Sequence, residues 1–159
     1  MHNFSLLVLT LFLLISFSVS ASTETDVEFI ISAKNPPKGV VFEVIAAKES
    51  ALKPALEKIE GYIKRLKAAI PEIKLSVVTH GVEEFALLKE NKKRFKESHQ
   101  KVQSLVSADV PVHVCGTHAS WYSYADDDFP DYVAVAIAGP EKVREYQQQG
   151  YALIDIRVP

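Results

Sequence analysis

Two hydrophobic periods alternate along this chain. After Gly39, the β-branched and aromatic run Val40-Val41-Phe42-Glu43-Val44-Ile45 has the length and composition of a strand. Leu52, Leu56, Ile59, Ile63, Leu66 and Ile70 then recur at spacings of four and three, one apolar stripe of an amphipathic helix that Pro71 ends. Ser50 is its expected N-cap, and Pro54 is tolerated because it falls in the first turn. Leu75-Ser76-Val77-Val78 is the next strand, closing on Thr79-His80-Gly81. A short helix over residues 83–88 and a longer one over 92–106 follow, the second burying Phe95, Val102, Leu105 and Val106. Residues 110–115 form a third strand that stops at Gly116, and residues 117–131 read as a polar, aromatic loop. The near-continuous apolar run 132–138 is expected to be a strand covered on both faces. Gly139-Pro140 opens a helix, with Pro140 near its N1 position, which Gly150 ends before a last strand from Tyr151.

Strand and helix alternate to the end, which predicts an α/β fold with an open, largely parallel sheet and helices on both faces. Sites in such sheets lie beyond the carboxyl ends of the strands. That rule singles out residues 46–50, 80–84 and 115–124.

Two N-terminal segments stand outside the alternation. Residues 4–19, FSLLVLTLFLLISFSV, have the length of a signal-peptide hydrophobic region, and Val19 and Ala21 give the small-x-small pattern of a cleavage site. The expectation is a signal peptide over residues 1–21 and a periplasmic or secreted product that meets no membrane afterwards; an uncleaved anchor is the alternative. No cysteine lies near the cleavage site, so a lipoprotein is not indicated. Residues 22–38, with the Asn35-Pro36-Pro37 breaker, read as a polar lead-in holding at most a short edge strand near 27–31. One domain over 39–159 is the expected remainder, large enough for a core without staples.

Composition narrows the function classes. Of 159 residues, 18 are basic and 20 acidic, a net charge of −2 that gives no field for nucleic acid or an anionic membrane. The single cysteine, Cys115, excludes an intrachain disulfide and a multi-thiolate zinc site. No Gly-rich loop follows the first strand, where Ala46-Ala47-Lys48-Glu49 stands, so nucleotide and flavin cofactors are disfavoured and no cofactor is expected.

Cys115 is the sharpest chemical feature. It ends a buried strand before Gly116-Thr117, whose backbone amides could hold a thiolate if a helical turn starts there. The competing reading is an inert core thiol. His113 shares a strand face with Cys115, and His118 completes His-x-Cys-x-x-His. As a metal site, His113 and His118 with His80 match no strong signature, and histidines that only pack are commoner. His80 or His118 is better placed as a neighbour that holds the thiolate or moves a proton. Glu83 and Glu84 are expected as charge-favoured residues of a first helical turn. The basic cluster Lys89, Lys92, Lys93, Arg94 and Lys96 reads as a solvated face, with attraction of small anions as the sharper alternative. Trp121, Tyr122 and Tyr124 line either a pocket or a subunit interface.

Val77-Val78-Thr79-His80-Gly81, Val112-His113-Val114-Cys115-Gly116, Ala138-Gly139-Pro140 and Gln147-Gln148-Gln149-Gly150-Tyr151 together resemble the DsrE/DsrF-like family over roughly residues 39–156. The resemblance implies a three-layer α/β/α sandwich with about five strands and a homo-oligomer, a trimer or a multiple of one. In the family's sulfur-relay members the strand-end cysteine carries sulfur as a persulfide, a role that would fall on Cys115. Those members are cytoplasmic, whereas this chain carries an export-type segment.

Two functions are therefore expected in competition. The first is a thiol protein that takes sulfane sulfur from a donor protein or small sulfur anion and passes it on. It would use Cys115 with His80 or His118, and Gly116, Thr117, Trp121 and Tyr122 around them. The second is a non-catalytic oligomeric binding module built on His113, His118 and the aromatic loop, with a small ligand or metal.

Overall fold

The computed structural model of the chain describes residues 20–158. Five parallel strands, β1 (Gly39–Val44), β2 (Lys74–Thr79), β3 (Val112–Cys115), β4 (Ala134–Ala136) and β5 (Tyr151–Ile156), form one sheet in the order β4-β3-β2-β1-β5. Chain order thus runs outward from β1 to β4 and then returns to the far side of β1. Helices α2 (Leu52–Ala69) and α3 (Lys96–Ser107) make the outward crossovers, and α5 (Gly139–Gln148) makes the return. Because parallel crossovers share one hand, reversing direction puts α5 on the opposite face. The three-layer α/β/α sandwich expected from the alternation and the resemblance follows.

The alternation of each strand divides the core. Val40, Phe42, Val44, Val77 and Val114 pack with Leu52, Leu56, Ile59 and Leu66 of α2. Val41 and Val78 point the other way, onto Val143 of α5. Gly150, at φ +91°, turns the end of α5 into β5, as its place after the helix predicts.

Four local expectations are corrected. The lead-in is not a loop with an edge strand: α1 (Ser20–Ser32) is a helix whose Thr23, Val27 and Ile30 are buried, a spacing of four and three that suits a helix and not a strand. Arg65 of α2 pairs with both Glu24 and Glu28 of α1 and ties the two together. Ser50 lies inside a 3-10 turn, Glu49–Ala51, rather than capping α2. The run 132–138 contributes only three strand residues at the sheet edge, with Ala134 exposed and Ile137 91% exposed. Its apolarity reflects Tyr132 and Val133 packing inward before the strand begins, not a strand covered on both faces. The aromatic loop begins instead as a short helix, α4 (Gly116–Trp121), and holds a 3-10 turn, Asp126–Asp128.

The apolar run 4–19 proposed as a signal lies outside the described residues. Among those described, no helix is long and apolar enough to cross a membrane.

Candidate functional site

β3 delivers Cys115 to the carboxyl edge of the sheet, where the residue is only 4% exposed and serves as N-cap of α4. The His118 N–H donates to Cys115 Sγ at 3.3 Å. The sulfur thus takes the place of a capping oxygen at the start of the helix. The Thr117 amide does not serve the thiol: it donates to the Ile137 carbonyl at 3.0 Å, and the Thr117 hydroxyl donates to the same carbonyl at 2.6 Å. Thr117 therefore fastens α4 to the end of β4. Gly116 is wedged against that end, since a Cβ there would lie 3.1 Å from the Ala136 carbonyl oxygen.

The turn after β2 supplies the partners, from two residues expected only as a charge-favoured first helical turn. Val82–Leu87 is a 3-10 helix, and Glu83 and Glu84 in it are both fully buried. Glu84 Oε2 accepts the Cys115 N–H at 2.7 Å, and Glu84 Oε1 lies 2.8 Å from His118 Nδ1. One carboxyl group therefore joins the backbone of the cysteine to the ring of the histidine. Burial pushes the Glu84 carboxyl up to about 8, against the lowering effect of the Cys115 N–H. Burial also lowers His118, with smaller opposing effects from Glu83, which raises it, and His80, which lowers it.

The two remaining sequence-predicted histidines have other partners. In register, Val78 pairs with His113, and His80 follows the end of β2, near enough to His118 to act on it electrostatically. His80 Nε2 lies 2.7 Å from Glu43 Oε1, and that bond is the main cause holding the Glu43 carboxyl below its ordinary range. Gly139 at the start of α5 makes room for this ring, because a Cβ there would fall 2.5 Å from His80 Cβ. His113 turns to α5, its Nε2 2.9 Å from the Tyr146 hydroxyl, and burial drives it down to about 4. It is a neutral packing histidine. His113 and His118 do not converge, and among the described residues no group of three or more His, Cys, Asp or Glu side chains could hold a metal.

Aromatic rings enclose His118. Phe85 stacks on it with centroids 5.1 Å apart, while Trp121 and Tyr122 meet it edge-on at 5.7 and 5.3 Å. Trp121 is 73% and Tyr122 54% exposed, so both stand at the rim of the site. The structure thus gathers Cys115, His118, Gly116, Thr117, Trp121 and Tyr122, with His80 on the sheet side, and leaves His113 with α5. Glu84 and Glu43 were missed. A carboxylate inside the strand run of residues 40–45, and a pair flanked by Val82 and Phe85-Ala86-Leu87-Leu88, were the available signals.

Chemically, the site combines a nearly buried thiol held at a helix start with an imidazole whose far nitrogen, Nε2, is left over from the Glu84 contact. Such a pairing suits nucleophilic attack by sulfur with proton exchange close by.

The DsrE/DsrF-like family model matches residues 30–156. Among solved structures, the protein of unknown function MTH1491 from Methanobacterium thermoautotrophicum superposes with a TM-score of 0.59 at 21% identity, over 73% of this chain and 96% of that one. Its likeness is one of fold. A comparison with curated proteins gave no match.

Proposed function

The chain belongs to the DsrE/DsrF-like family, and we propose that it carries sulfane sulfur as a persulfide on Cys115. Family membership supports a sulfur-relay-like role at the level of the family. The observation that supports the finer reading is the join at the end of β3, where Cys115 caps α4 while Glu84 holds its N–H and the His118 ring together. In the loading step, the Cys115 thiolate attacks the terminal sulfur of a donor persulfide. A Cys115 S–S bond forms, the donor S–S bond breaks, and the donor leaves as a thiolate with the electron pair. Transfer to an acceptor thiolate is the same exchange in reverse. No second cysteine can resolve the persulfide within the chain, so the acceptor is another molecule or another copy. Export and assembly into a trimer, or a multiple of one, belong to the same proposal.

Intact-mass spectrometry after incubation with polysulfide or thiosulfate tests it. The expected result is a one-sulfur adduct in the wild type that is missing in Cys115→Ser and is released by cyanide as thiocyanate. Equal adducts in both proteins would overturn it. The exposed rings of Trp121 and Tyr122 favour a second reading, a non-catalytic binding module, which requires Cys115→Ser to retain full function.

A further inference from the structure

We propose that Glu84 is a positioning residue that sets the tautomer of His118, and so decides whether Nε2 of that ring is a donor or an acceptor beside Cys115. The inference rests on reading Cys115 as the reacting group, but its geometry stands by itself. Glu84 is fully buried, and each of its oxygens has one partner of a different kind: a backbone N–H fixed by β3, and an imidazole nitrogen that can either give or take a proton. Phe85 stacks on the ring, and Trp121 and Tyr122 meet it edge-on, which favours this orientation toward Glu84.

The proton count follows from those contacts. When Glu84 is protonated, Oε1–H donates to His118 Nδ1, and Nε2 of the neutral ring must carry the other hydrogen. Nε2 is then a donor, suited to an arriving anionic sulfur or to a departing thiolate. When the pair loses one proton, the Oε1 hydrogen passes to Nδ1, the Nε2 hydrogen goes to solvent, and Nε2 becomes a lone-pair acceptor, suited to taking a thiol proton. Throughout, Oε2 keeps the Cys115 N–H, so the switch alters the ring without moving the cysteine. Burial of Glu84 places the exchange near pH 8. The other titratable groups facing the pair are Glu83 on the same turn, His80 at the end of β2, Cys115 itself, and Tyr122 at the rim.

The test is nitrogen-15 NMR of the full chain labelled at histidine, with the His118 signals identified by their loss in His118→Gln. At pH 7 the wild type is expected to show Nε2–H, and at pH 9.5 Nδ1–H. Glu84→Gln retains both contacts, its amide donating to Nδ1 and its carbonyl accepting the Cys115 N–H, and is expected to show Nε2–H at both pH values. The same tautomer at both pH values in the wild type would overturn the proposal, as would a switch in a folded Glu84→Gln. The wild-type measurement needs no variant, so poor folding of Glu84→Gln does not obscure it. A switching ring in a protein that takes up no sulfur would overturn the persulfide reading and leave the role of Glu84 in place.

Discussion

Glu83 and Glu84 leave the same turn, are equally buried, and serve two different regions. Glu83 reaches the ends of β1 and β2: Oε1 accepts the Thr79 hydroxyl and the Gly81 N–H, and Oε2 accepts the Ala46 N–H. Gly81 is pressed so close that a Cβ would lie 2.4 Å from Glu83 Oε2. Glu84 reaches the end of β3, with one N–H and one imidazole. Three donors that cannot give up their protons make Glu83 a clamp between strand ends. A single exchangeable partner makes Glu84 a place where a proton can move. Burial alone therefore does not assign a role to a carboxyl group; the kind of partner does.

The contrast is broken most sharply by pH. Burial raises Glu84 from 4.5 to about 8, so the folded chain binds its proton more tightly than the unfolded chain. That stabilisation is full below pH 4.5 and is lost as pH rises through 8, amounting to about 5 kcal/mol in all. His113 has the opposite sign: lowered from 6.5 to about 4, its contribution is present above 6.5 and lost as pH falls through 4. Burial of His99 and His118 acts in the same direction as that of His113. The raw curve therefore declines most clearly from pH 6.5 to 8, where the contribution of His113 is complete and that of Glu84 is still being lost. The difference between wild type and Glu84→Gln, followed by urea unfolding from pH 4.5 to 9, isolates the whole Glu84 contribution. A difference that does not change with pH would erase the distinction from Glu83.

A smaller effect separates the two at neutral pH. Glu83→Ala leaves the Ala46 and Gly81 N–H groups and the Thr79 hydroxyl without their acceptor, a loss of about 4 kcal/mol at roughly 1–3 kcal/mol per buried group with some relaxation. Glu84→Gln mimics the protonated acid and has no charge to desolvate, so by the same linkage it is expected to be more stable than wild type at pH 7 by about 3 kcal/mol. Denaturant midpoints compare them directly. Similar losses in both variants would make Glu84 a second clamp.

How much of this was legible depends on how local the cause was. The order of strands and helices along the chain and the strand-end place of Cys115 could be read because periods of two and of three to four are local. The paired roles of His113 and His118 could not. Spacing sets them close to the cysteine, but the pleat sends His113 toward α5 while the turn of α4 carries His118 to Glu84. The burial of Glu83 and Glu84 was hidden for a related reason. Carboxylates in a first turn look the same on a surface helix as on a turn packed beneath a sheet edge. Only the apolar residues on both sides of the pair hinted at it. The sheet-edge place of residues 134–136 was a matter of topology, which a run of apolar residues does not encode.

The smallest effect tests the rim rather than the interior. Trp121 is 73% exposed, and its contact with the site is an edge-on meeting with His118 at 5.7 Å, opposite a ring already held by Phe85 and Glu84. Removing an exposed side chain of this kind changes stability by no more than about 0.5 kcal/mol. Trp121→Ala is therefore expected to unfold at the wild-type denaturant midpoint while Cys115 is alkylated faster through the opened rim. The measurement is made at two protein concentrations. If the variant instead loses more than about 2 kcal/mol, with a midpoint that depends on concentration, Trp121 is covered in solution by another copy of the chain, since a buried aromatic at an interface carries that much and a solvated one does not. The comparison then shifts. The aromatic rim would belong to assembly, as the binding-module reading holds, and the thiol chemistry would have to be reached from within the oligomer rather than from open solvent.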